Sequence, residues 1–182
     1  MSGPARRVMT VDEFLVWDDG TDTRYELIGG EPVAMAPPSP NHGALTVAIA
    51  VQIAARPRPP CRVISEAGIR LADRNDSWFQ ADLAVTCQPL GPALTATPDP
   101  TVIVEVLSPS TEGTDRTVKL PAYRNIDSVQ EILLISVTKR RAELWHRSGD
   151  EWRVRDIIGD GVLRFESLDA EIPMTTLYDG LV

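Results

Sequence analysis

Two carboxylates stand where strands ought to be apolar. Glu105 lies in V-I-V-E-V-L-S-P-S-T (102–111) and Asp82 in F-Q-A-D-L-A-V (79–85). A lone buried carboxylate is strongly disfavoured unless it is paired, protonated or bound to a metal. Downstream, Asp115, Lys119 and Tyr123 recur at every fourth position and so share one face of a helix. Magnesium and manganese take oxygen ligands, typically one or two carboxylates with water and a substrate phosphate. Asp82 and Glu105 on neighbouring strands can supply two carboxylates, and the backbone carbonyl of Val106 a third ligand. Lys119 can then orient an attacking water and offset charge on a phosphoryl transition state. The Asp115–Lys119 spacing equally suits an ordinary helix ion pair. Glu26, in R-Y-E-L, either joins the acidic cluster or pairs with Arg24. His42 is either a structural donor at a helix start or a neighbour of the site. His146, in L-W-H-R, reads as a surface strand residue.

The elements that must carry these residues are short and well punctuated. Thr10-x-x-Glu13 is a capping box, which predicts a short first helix. Gly29-Gly30 between two short apolar runs predicts a hairpin. Ser39 as cap and Pro40 in the first turn predict a second helix over 41–55, apolar nearly all round and broken by the Pro/Arg stretch 56–60. Strands follow at 62–66 and 68–71, then the two acid-bearing strands at 78–86 and 101–107. A helix over 111–126 should kink at Pro121. An apolar strand at 129–137 and a hairpin of 142–147 with 151–156 complete the set, with short strands or turns from 161 on. Strands interleaved with helices give an α/β fold with a mixed sheet.

Bulk properties narrow the classes. A chain of 182 residues with 43% hydrophobic and 24% charged residues suits one soluble domain, 1–182. No run reaches the roughly 18 apolar residues of a membrane span, and no apolar segment follows Arg6 and Arg7 as a secretory signal requires. Net charge is −8, which argues against indiscriminate coating of nucleic acid. Arg56, Arg58 and Arg62, or Lys139, Arg140 and Arg141, remain candidates for a local basic face, against the plainer reading of solvated turns. Cys61 and Cys87 fit no metal-binding spacing and read as reduced, buried thiols of a cytoplasmic protein. No nucleophile elbow, phosphate-binding glycine loop or zinc motif occurs. Aromatic residues at 5% give little platform for sugars.

Taken together, Y-E-L-I-G-G-E (25–31), P-P-S-P-N-H (37–42), Q-A-D-L-A-V (80–85), V-E-V-L-S-P-S-T (104–111) and D-x-x-x-K-x-x-x-Y (115–123) resemble the Uma-type restriction-endonuclease-like family of the PD-(D/E)XK superfamily. The likeness runs in order over about 10–160. It implies a restriction-endonuclease-like core, a mixed sheet flanked by helices with N-terminal and C-terminal hairpin extensions, and a magnesium- or manganese-dependent phosphodiesterase acting on DNA. Carried over by position, Asp82 and Glu105 bind metal and Lys119 is the catalytic lysine, with Glu26, His42 and Asp115 in support. Two departures stand out. Ala81 replaces the superfamily's usual proline, and Leu107 stands where its lysine usually follows the second acid, so the helix must deliver Lys119 instead. The alternative is a non-catalytic nuclease-fold module that binds nucleic acid or protein, as a monomer or homodimer.

Overall fold

In a computed structural model, described for residues 8–55 and 59–181, the chain forms one large mixed sheet with helices on both faces. Arg56 and Arg58, two of the three residues of one candidate basic face, lie outside the described residues. Helix α1 (Val11–Phe14) has its capping box, Thr10 and Glu13 bonding reciprocally. The hairpin β1 (Tyr25–Ile28) and β2 (Glu31–Ala34) turns on Gly29 and Gly30, both at positive φ, a conformation that glycine adopts without steric cost. Helix α2 (Pro40–Ala54) starts at Ser39, whose side chain accepts from the His42 N–H. It carries no Asp, Glu, Lys or Arg and buries Leu45, Ile49 and Ile53 against the sheet.

Strands β3 (Arg62–Arg70), β4 (Trp78–Thr86), β5 (Pro100–Leu107), β6 (Glu131–Ser136), β7 (Arg141–Ser148) and β8 (Glu151–Ile158) complete the sheet. The order is β2-β1-β4-β5-β6-β7-β8 with β3 also on β4, and only β5 and β6 run parallel. The parallel step is the one spanned by a helical crossover, as parallel pairing requires. The strands expected at 62–66 and 68–71 are one continuous strand. The gap expected at residue 67 is absent, and beside it Glu66, at φ 51°, interrupts the ladder to β4, which misses a pair between Ser65–Leu83 and Ala67–Ala81.

Between β5 and β6 the chain is helical but not uniformly so. A single turn, α3 (Glu112–Thr114), passes into a π-helical turn over Asp115–Lys119 and then α4 (Leu120–Arg124). The irregularity expected at Pro121 therefore lies one turn earlier. Widening the helix there, with the Leu120 N–H bonded back to the Asp115 carbonyl, lets the chain accommodate a proline that has no N–H to offer.

Two apolar clusters cover the two faces. Val102, Val104 and Val106 of β5 face α2 and the C-terminal elements β9 (Val162–Phe165), β10 (Ala170–Pro173) and α5 (Met174–Leu177). Ile103 and Leu107 face α4 with Phe79, Tyr123 and Leu134. Glu105 shares their parity and so points to the α4 side.

Cys61 and Cys87 form a disulfide, which corrects the expectation of reduced thiols. The β3–β4 register pairs Arg62 with Thr86, so the next residues outward, 61 and 87, face each other across the ladder's end.

The C-terminal hairpin is fastened by a further buried carboxylate. Glu131, 1% exposed on β6, accepts from the backbone N–H of Glu166 at 2.8 Å, that of Ser167 at 3.1 Å, and the Ser167 hydroxyl. Burial pushes its pKa up while these donors pull it down. Glu131→Ala should lower stability by about 3 kcal/mol, since buried donors lose a charged acceptor. Glu131→Gln, which keeps one acceptor oxygen, should cost visibly less. Urea unfolding of both variants checks this, and equal losses would contradict it.

Candidate functional site

Strand β4 is paired along one edge by β3, but its other edge is shared. Trp78 pairs there with Leu27 of β1, and the residues from Leu83 onward pair with β5. The β4–β5 ladder stops at Leu83–Val104, so the next pair in register would be Asp82 with Glu105. Between the two half-ladders the sheet opens into a fork, and backbone donors inside it need acceptors. Side chains supply them. Asp82 Oδ2 accepts from the Val106 N–H at 2.7 Å, and Glu26 Oε1 accepts from the Gln80 N–H at 2.8 Å.

Side-chain parity inverts at the same place. Phe79 and Ala81 lie on the α4 face, yet Leu83 and Val85 lie on the α2 face. On β3, Ala67 and Ile69 go with the first pair and Val63 with the second. The pivots are Asp82 and the left-handed Glu66, which oppose each other in register. A phase slip of one residue reverses every later side chain.

Into this fork the helical segment delivers Lys119. Its Nζ lies 2.8 Å from Glu26 Oε1, 3.3 Å from Glu105 Oε1 and 3.3 Å from Asp115 Oδ1. Tyr123, one turn on, donates its hydroxyl to Glu105 Oε1 at 2.6 Å. From the other side, the first turn of α2 places His42 Nε2 3.4 Å from Asp82 Oδ1. All six residues named from the sequence thus converge. Glu26 takes the lysine rather than Arg24, which pairs with Glu66 instead. Asp115 is both a helix neighbour of Lys119 and part of the cluster. His146 lies apart, 3.6 Å from Glu166. Tyr123, which the sequence marks by its helix face and its place in D-x-x-x-K-x-x-x-Y, is the residue whose contact the spacing does not convey.

The expected Asp82, Glu105 and Val106 ligand set does not stand open as such. Asp82 is engaged by Val106 and His42, and among the described residues no three acidic, cysteine or histidine side chains already stand together at metal-binding distance. The reason is the fork itself: its backbone and cationic groups take up the carboxylates.

The electrostatics follow from burial and crowding. The Glu105 carboxyl is pushed up to about 8, chiefly by burial, against the pull of Lys119, and further by Asp82 and Asp115. Asp115 is raised by burial as well. Burial would depress the Lys119 ammonium, but Glu105, Glu26 and Asp115 outweigh it and hold the charge on. His42 is drawn up by its bond to Asp82, against burial, with a further contribution from the Val106 backbone.

A carboxyl whose pKa is raised on folding stabilises the folded protein below its unfolded value, and that contribution is lost as pH rises through the folded value. Metal-free protein should therefore lose melting temperature between about pH 5 and pH 8, the interval spanned by the Glu105 shift. His42 and Asp115 shift in the same sense. Glu105→Gln should flatten the profile, and an unchanged slope in thermal melts would refute the assignment.

The comparisons with known proteins point one way. The model of the Uma2 family, described as "Putative restriction endonuclease", matches residues 11–175. The uncharacterized protein slr1290 of Synechocystis sp. (strain ATCC 27184 / PCC 6803 / Kazusa) is 27% identical over 176 residues, covering 95% of this chain and 93% of its own. A second protein of that organism, sll1609, also uncharacterized, is 29% identical over 162 residues, 85% and 90% of the two chains. In structure, the chain is similar to a "putative nuclease belonging to DUF820" from Anabaena variabilis ATCC 29413. The TM-score is 0.76 at 19% identity, over 96% of this chain and 99% of that one, which is a likeness of fold.

Proposed function

The chain belongs to the Uma2 family, and on that footing we propose that it is a metal-dependent endonuclease hydrolysing phosphodiester bonds of DNA. The observation that carries this reading is the meeting of Asp82, Glu105 and Lys119 in the sheet fork. The donor set fits a hard divalent cation: carboxylates outnumber the cations beside them, and Glu105 is held protonated only by burial and that excess of negative charge. Asp82, Glu105 and the Val106 carbonyl would hold magnesium or manganese, which lowers the pKa of bound water and polarises the phosphoryl group.

The chain's own residues divide the remaining work. Lys119 carries the positive charge that offsets a phosphorane-like transition state, and Glu26 and Asp115 keep that ammonium charged and aimed into the fork. His42 steadies Asp82. The side chains of Asp82 and His42 are 23% and 15% exposed against 3% for Glu105, so substrate approaches from their side. Contacts to DNA phosphates would make binding fall with salt.

A second reading, a nuclease-fold module that binds nucleic acid or a protein without cutting, draws on one observation. Lys119 is already held by three carboxylates and is only 6% exposed, so it cannot touch a phosphate unless those bonds open.

Calorimetric titration of magnesium and manganese, with plasmid cleavage on the same samples, separates the two. Wild type should bind and cut; Glu105→Gln should do neither while keeping its fold. Cleavage that survives Glu105→Gln would remove Glu105 from the metal site, and a wild type without metal binding would favour the second reading. Lys119→Ala should still bind metal but cut roughly 100-fold more slowly or worse, as for loss of one transition-state donor. An unchanged rate would move the lysine's role elsewhere.

A further inference from the structure

Glu105 has two carboxylate oxygens, and its neighbours use one of them. Tyr123 donates to Oε1 at 2.6 Å, and Lys119 approaches the same atom at 3.3 Å. Among the described residues no hydrogen bond reaches Oε2, although the Glu105 side chain is 3% exposed. Oε2 is not among the buried polar atoms left without a partner, so it is a partly accessible acceptor that the protein's own donors leave to a ligand.

Tyr123 is well placed to create that asymmetry. It is fully buried, and its ring stands edge-on to Phe79 with centroids 5.8 Å apart, so the phenol has little freedom to seek another acceptor. A 2.6 Å hydroxyl–carboxylate bond is at the short end of the normal range, as expected when the acceptor can carry charge. Its position follows from the helix. Asp115, Lys119 and Tyr123 recur at four-residue intervals, and the π-helical turn ahead of Leu120 brings all three onto the sheet fork.

We infer that Tyr123 is a positioning residue: by occupying Oε1 it fixes the rotation of Glu105 and presents Oε2 as the one oxygen offered to a divalent cation. The inference rests on the endonuclease reading above. A merely structural tyrosine would satisfy its own hydroxyl on any acceptor. This one puts both donors on a single oxygen and leaves the other bare.

The test uses Tyr123→Phe, which keeps the ring against Phe79 and deletes only the hydroxyl. Manganese alone is titrated by calorimetry into wild type, Tyr123→Phe and Glu105→Gln, with thermal melts to confirm folding. Loss of an outer partner of a metal ligand typically weakens metal affinity about 10- to 100-fold. Tyr123→Phe should therefore bind manganese at least about tenfold more weakly than wild type. Plasmid cleavage by the variant should climb back toward the wild-type rate at saturating manganese, because affinity and not the chemical step is lost. Wild-type affinity in a folded Tyr123→Phe overturns the inference while leaving the endonuclease reading intact. No binding by wild type overturns both, and is told apart by that control. Should Tyr123→Phe fail to fold, the ultraviolet difference spectrum of wild type decides. Manganese should perturb tyrosine absorption as the bond to Glu105 adjusts, and binding without that perturbation overturns the inference.

Discussion

Unpaired backbone donors in the sheet fork are the constraint on which the rest of the site depends. β4 cannot be followed along its whole edge by one strand, because β1 pairs with its first residue and β5 only with its last four. Leaving the Gln80 and Val106 N–H groups bare inside the fold would be costly, so acceptors must be brought to them. Two carboxylates do this, Glu26 from β1 and Asp82 from β4 itself. Once they are there the fork is negatively charged, and a cation must follow. Lys119 is that cation, and the helical crossover delivers it.

The balance of charge is deliberately incomplete. Glu26, Asp82, Glu105 and Asp115 face one ammonium and one imidazole. A fully neutralised buried network rigidifies a core, whereas a partly neutralised one retains electrostatic free energy that a ligand can release. Here the imbalance falls on Glu105, which holds its proton to about pH 8. Its position is not that of a chain maximising stability.

Much of this was legible in the sequence, and the failures are instructive. Glu105 stood out because apolar residues flank it on both sides, and the four-residue spacing of Asp115 and Lys119 survives in the structure. Glu131, at the head of the apolar run E-I-L-L-I-S-V, looks like an ordinary strand-end acid, yet it is as buried as Glu105. It is satisfied by two backbone N–H groups 35 and 36 residues away, a contact no local pattern encodes. Cys61 and Cys87 likewise became neighbours only through the β3–β4 register. The left-handed residue is Glu66 and not the gap expected at 67, because a residue in left-handed conformation inside a continuous strand leaves no compositional mark. Pro121 announced an irregular helix but not where the strain would be absorbed. Pairwise proximity across the sheet, in each case, was the missing information.

The fold's own needs explain some of the buried charge and not the rest. Asp82 and Glu26 would be kept by any chain with this fork, since each closes a backbone donor. Glu105 closes none: it receives only Tyr123 and Lys119, and Lys119 is there for the carboxylates. Replacing such an interior charged group wholesale by well-packed apolar residues is often neutral or stabilising, by about 1–4 kcal/mol in measured cases. A leucine at 105 would suit the α4-facing cluster, which already holds Ile103, Leu107 and Leu134, with Lys119 left to Glu26. Glu105 and Asp115 are thus surplus to the scaffold, and surplus charge held in a buried fork at a cost in stability is most economically explained by chemistry performed there.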